Sequence, residues 1–88
     1  MYVRHYAPKS PVRLVERLEQ DDFGLTFAKA SNRGQIQMPL DPKTYARALY
    51  AALHTLDRQK PPSICIESPP ETEDWEAVWD RLSRASNR

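Results

Sequence analysis

Two proline-punctuated boundaries constrain the fold of this chain more than anything else in it. Asp41-Pro42 places a capping acid directly before a proline at a first helical position. Lys60-Pro61-Pro62 stops whatever began there. Between them Tyr45, Leu49, Leu53 and Leu56 fall at spacings of four, four and three, with Ala48 and Ala52 beside them. That continuous apolar stripe predicts a helix from Pro42 to about Arg58. Ile64-Cys65-Ile66 follows as a short buried strand, closed by Pro69-Pro70. Thr72 then caps a second helix, with Glu73, Asp74 and Glu76 in its first turn and Arg81, Arg84 and Arg88 toward its end, the order a helix dipole favours. Its apolar face is Trp75, Val78, Trp79 and Leu82. Strand–helix–strand–helix in the second half implies a right-handed crossover between parallel neighbours.

The first half reads as strands. Val12, Leu14 and Val15 suit a first one, before the polar break Glu19-Gln20-Asp21-Asp22. Phe23, Leu25 and Phe27 alternate with Gly24 and Thr26, a half-buried pattern. Ser31-Asn32-Arg33-Gly34 is a turn in which Gly34 is free to take a positive φ. Ile36, Met38 and Leu40 alternate with glutamines in a third strand. The two polar breaks predict a meander, with a short helix in the acidic break as the alternative. The expectation is therefore α/β: a roughly four-stranded sheet of mixed direction packed with two helices, in the order ββ-β-α-β-α. Residues 1–11 form an extended strap and residues 12–88 the small α/β domain.

Eighty-eight residues make one small domain. Such a chain buries only about 60–65% of its unfolded surface, so a deep cleft between lobes is not expected. The formal net charge of +1 gives no global argument for nucleic acid or membrane. The charges are nevertheless uneven. Arg4, Lys9 and Arg13 precede any acid, and residues 61–80 carry six acids without a base: Glu67, Glu71, Glu73, Asp74, Glu76 and Asp80. Such runs read first as solvated surface and helix-end chemistry. Cys65 is the one cysteine, which excludes an internal disulfide and fits a reducing compartment. With no apolar run near a membrane span and no secretory layout, the expected location is soluble and cytoplasmic.

Catalytic signatures are scarce. Gly24 and Gly34 are the only glycines, so no glycine-rich phosphate loop exists. His5, His54 and Cys65 lack metal-ligand spacing. Cys65, between two isoleucines, reads as a small core hydrophobe rather than a nucleophile paired with His54. Glu67 ends its strand where open α/β sheets bind ligands, although a solvated acid is the simpler reading. His54 belongs to the polar side of the long helix, and the Trp75–Trp79 spacing is that of a core face.

The strap is the exception. Pro8 and Pro11 fix their own backbone angles and push Ala7 and Ser10 toward extended conformations. Arg4, His5 and Lys9 offer donors for anionic oxygens, and Tyr6 a flat face with a hydroxyl. Such a set suits lying across a nucleotide or phosphate site on another domain, against the alternative of a frayed terminus.

Residues 1–8, as Met-x-x-Arg-His-Tyr-Ala-Pro, resemble the interdomain linker of the two-domain L-threonylcarbamoyladenylate synthases. The run from Tyr45 to Asp57, Tyr-Ala-Arg-Ala-Leu-Tyr-Ala-Ala-Leu-His-Thr-Leu-Asp, resembles the long helix of that family's small C-terminal domain. Ile64-Cys65-Ile66-Glu67-Ser68-Pro69-Pro70 resembles its Ile-x-Val-Glu-x-Pro-Pro strand, and Asp80-Arg81-Leu82-Ser83-Arg84-Ala85 its terminal helix. Val3 stands where the family usually has tyrosine, and the stretch from Val15 to Phe23 is shorter than usual.

The resemblance implies a small Rossmann-like domain with a shortened first βα unit. It implies a lid or regulatory role without catalytic residues or a metal of its own. The whole enzyme joins threonine, bicarbonate and ATP into threonylcarbamoyl-AMP with release of pyrophosphate, for threonylcarbamoyladenosine formation in tRNA. ATP and magnesium belong to that full enzyme, and no cofactor to this chain. Arg4, His5, Tyr6, Ala7 and Pro8 would be the lid residues over a separate active site. The implied partner is a YrdC-type catalytic domain, in the same or another chain, with neither a membrane nor direct tRNA contact. The competing expectation is a free-standing interaction module that kept the fold and changed its partner.

Overall fold

A computed structural model describes residues 8–86 of the chain. In chain order they form β1 (Val12–Val15), β2 (Gly24–Thr26), β3 (Gln35–Gln37), α1 (Pro42–Asp57), β4 (Ile64–Glu67) and α2 (Glu76–Ser86), the last entered through a single 3-10 turn over Glu73–Trp75. The α/β class, the four strands and the two helices agree with the sequence reading, and the architecture is Rossmann-like.

The first helix forms for local reasons. At α1 the Asp41 carboxylate accepts from the Thr44 N–H at 2.9 Å and the Thr44 hydroxyl at 2.6 Å, and Pro42 occupies the first turn. The helix ends as Lys60 turns to φ 53°, with its N–H donating to the Asp57 carbonyl at 3.0 Å. Thr72 does not cap the second helix by a side-chain bond to its backbone; its hydroxyl donates instead to Asp74 Oδ1 at 2.6 Å. An exposed Asp80–Arg84 ion pair at 3.2 Å contributes little.

The core lies between the sheet and the helices. Tyr45, Leu49, Ala52, Leu53 and Leu56 of α1 meet Trp75, Val78, Leu82 and Ala85 over Leu25, Ile64 and Ile66. Burying each leucine contributes about 2 kcal/mol, so this layer supplies most of the apolar driving force. Residues alternate along strands. Gly24, Thr26, Gln35, Cys65 and Glu67 therefore belong to the opposite face.

Strand direction departs from expectation. The order is β1-β4-β2-β3 and every pairing is parallel, so the sheet is neither a meander nor mixed. The strands are shorter than the alternation suggested. A three-residue strand is only about 10 Å long, so the irregular segments 16–23 and 27–34 can return the chain to the same end of the sheet without a helix. Gln35 pins those returns. Its side-chain N–H groups donate to the carbonyls of Glu19 at 2.9 Å and Asp22 at 3.0 Å, and its oxygen accepts from Ser31 N–H at 3.0 Å. No hairpin turn is needed, and no described glycine has a positive φ. Gly34 is required for space instead: a Cβ there would come within 2.4 Å of the Phe23 ring. Pro39 also ends the third strand early, leaving Leu40 68% exposed.

Candidate functional site

The end of the strap is built into the domain. Pro8 and Ser10 are buried, and Lys9 is exposed. The Asp57 carboxylate, in the last turn of α1, accepts from Lys9 N–H through one oxygen and Ser10 N–H through the other, both at 3.1 Å. The Ser10 hydroxyl donates to the Pro61 carbonyl at 2.8 Å. Ile64 N–H donates to the Pro11 carbonyl at 2.7 Å, which opens the β1–β4 ladder. Three successive strap residues are thus tied to the end of α1, the α1–β4 connection and β4.

A groove of about 720 Å³ runs along this anchorage, lined by Lys9, Ser10, His54, Arg58, Lys60 and Pro61 among others. It carries Lys9, Arg58 and Lys60 beside the Asp57 carboxylate and lies at the amino ends of β1 and β4. His54, expected on a plain polar face, is half-buried in its wall. Of the expected lid residues, Pro8 is buried and does not line the groove. Arg4, His5, Tyr6 and Ala7 lie outside the described residues.

The carboxyl ends of the strands hold a different arrangement. Glu67 Oε1 accepts from the Thr26 hydroxyl at 3.0 Å and from Phe27 N–H at 2.8 Å, joining the ends of β4 and β2. Beside it the rings of Phe27, Tyr45 and Trp75 pack with centroids 5.5–6.0 Å apart. Burial pushes the Tyr45 hydroxyl far above its ordinary range, and the negative charge of Glu67 adds to the effect. That hydroxyl has no hydrogen-bond partner among the described residues. Trp79 stays half-buried, its indole N–H donating to the Pro70 carbonyl at 2.8 Å.

Cys65 is 1% exposed and faces away from the helices, with an Arg13 guanidinium N–H donating to its sulfur at 3.5 Å. A buried thiol between strands has poor access to a substrate. Among the described residues no group of three or more His, Cys, Asp or Glu could hold a metal ion, and no helix is long and apolar enough to cross a membrane.

Sequence reasoning missed Asp57 and Gln35. A single aspartate at a helix end and a glutamine in an alternating strand both read as solvated residues. The one available signal was Asp57's unfavourable position at the negative end of a helix dipole.

A family model described as the C-terminal domain of threonylcarbamoyl-AMP synthase matches residues 1–87. No curated protein and no solved structure matches the chain.

Proposed function

The chain belongs to the threonylcarbamoyl-AMP synthase C-terminal domain family, and from that membership we propose that it is the non-catalytic lid or regulatory domain of such a synthase. The observation that carries this reading is the extent of the match. It runs from residue 1 to residue 87, so strap and domain fall within a single family unit. The anchorage of Lys9 and Ser10 on Asp57 supports it, because a strap fixed to a folded body can be presented to a partner in a defined direction.

The reaction takes place on a YrdC-type catalytic domain, in the same or a separate chain. There threonine, bicarbonate and ATP, with magnesium, give threonylcarbamoyl-AMP and pyrophosphate for tRNA modification in the cytoplasm. This chain contributes no cofactor and no direct tRNA contact. Arg4 and His5 donate to anionic oxygens of the bound nucleotide, Tyr6 covers it with its ring, and Ala7 and Pro8 complete the lid. Differential contact with the filled and empty cleft is what lets such a lid change turnover.

The test mixes this chain with a matching catalytic domain and follows binding and ATP-dependent pyrophosphate release. The expected result is measurable binding and altered turnover, with no turnover by this chain alone. Tyr6→Ala should remove most of the effect on turnover while leaving the domain folded. Absence of both binding and altered turnover would overturn the lid reading and favour the free-standing module.

A further inference from the structure

We propose that Asp57 is the latch that fixes where the strap leaves the domain, so that residues 9–11 belong to the folded body and the part presented to a partner ends at Pro8 rather than at Pro11. A carboxylate in the last turn of a helix lies at the end that the dipole disfavours. Its two oxygens are instead spent on consecutive strap amides, Lys9 and Ser10, at 3.1 Å each. Backbone N–H groups bonded to a charged acceptor are held more tightly than by a neutral one. The Ser10 hydroxyl on the Pro61 carbonyl at 2.8 Å and the Pro11 carbonyl on Ile64 N–H at 2.7 Å continue the same seam. Pro8 and Pro11 flank the bonded residues and fix their own φ angles, which leaves little freedom to pivot between them. Residues 9–11 therefore belong mechanically to the domain. Asp57 acts as a positioning residue for everything N-terminal to them, without touching substrate.

The functional consequence rests on the lid reading; the latch itself does not, and the experiment separates them. Amide hydrogen exchange is measured by NMR on the full chain alone. Lys9 and Ser10 should be protected, and Asp57→Ala should speed their exchange by about tenfold or more. The Cys65 amide, which donates to the Phe23 carbonyl away from the strap, should stay protected, as a check that the domain is folded. Asp57→Asn, which keeps the volume and one acceptor, should release one of the two amides. Unprotected Lys9 and Ser10 in the unaltered chain, or unchanged protection in both variants, would overturn the latch. With the catalytic domain added, Asp57→Ala and Tyr6→Ala together should cost no more of the turnover effect than Tyr6→Ala alone. Additive losses would overturn the claim that Asp57 acts through the strap. Exchange as expected without any turnover effect would retain the latch and remove the lid.

Discussion

The two faces of the sheet are held in different ways. On the helix side, Leu25, Ile64 and Ile66 disappear under aliphatic side chains of α1 and α2. Burial there is non-directional and scales with apolar area. On the other side, Gly24, Thr26, Gln35, Cys65 and Glu67 are closed by irregular chain and by specific bonds: Gln35 to the carbonyls of Glu19 and Asp22, Glu67 to Thr26 and Phe27, Arg13 to Cys65. A parallel sheet usually has both faces covered. Here a helix layer covers one, and hydrogen-bonded loop folds against the other. The first face tolerates substitution by volume, and the second only where donors and acceptors still meet.

The largest expected effect tests how closed the second face is. A Cβ on Gly24 would sit 1.7 Å from the Cys65 carbonyl oxygen, and neighbouring backbone cannot yield that far. Gly24→Ala should abolish the folded domain, seen as loss of amide dispersion in NMR spectra; a well-folded variant would show that β2 and β4 can separate. Next is Leu53→Ala in the helix layer. Leu53 is fully buried, and the loss should be about 2–5 kcal/mol by denaturant unfolding. A smaller loss would mean that the layer collapses around the gap.

Gln35→Leu keeps an apolar stem of similar size but removes both donors and the acceptor. It should cost about 1–3 kcal/mol and raise exchange at Ser31 N–H, whereas a neutral result would place the control of the loops elsewhere. Smallest is Asp41→Ala, a directional bond on the helix side. The Thr44 hydroxyl and N–H hold the Asp41 carboxyl below its ordinary range. A depressed native value means that the charged carboxylate stabilises the fold above the unfolded-state pKa, and that this contribution is lost as pH falls through the native value. Asp41→Ala should therefore lower the melting temperature slightly near neutral pH and flatten the decline on the acid side. An unchanged acid profile would show that the cap is not coupled to folding.

The same contrast explains what was legible beforehand. Helix registers, the core leucines and the buried β4 followed from periodicity and capping, because one face of a helix repeats regularly in sequence. The direction of β2 and β3 did not follow. Alternation reports which face a residue takes and is the same for a parallel and an antiparallel strand. Gln35 looked solvated because its partners are backbone carbonyls, which carry no side-chain signature. The basic and aromatic strap residues stood out in sequence, and the match over residues 1–87 agrees with the resemblance they carried. Their fixed point on Asp57 lay hidden, since Lys9 and Asp57 meet only after α1 has traversed the domain.

The sequence by itself determined two amphipathic helices, the Asp41 cap of the first, the apolar residues of one sheet face and the basic and aromatic composition of the strap. These follow from local periodicity and backbone chemistry. Tertiary structure alone decided that all strands run parallel, that polar Gln35 and Glu67 close the second face, and that Asp57 holds the strap. Those outcomes depend on hydrogen-bond partners distant in sequence, which become neighbours only when the sheet has assembled.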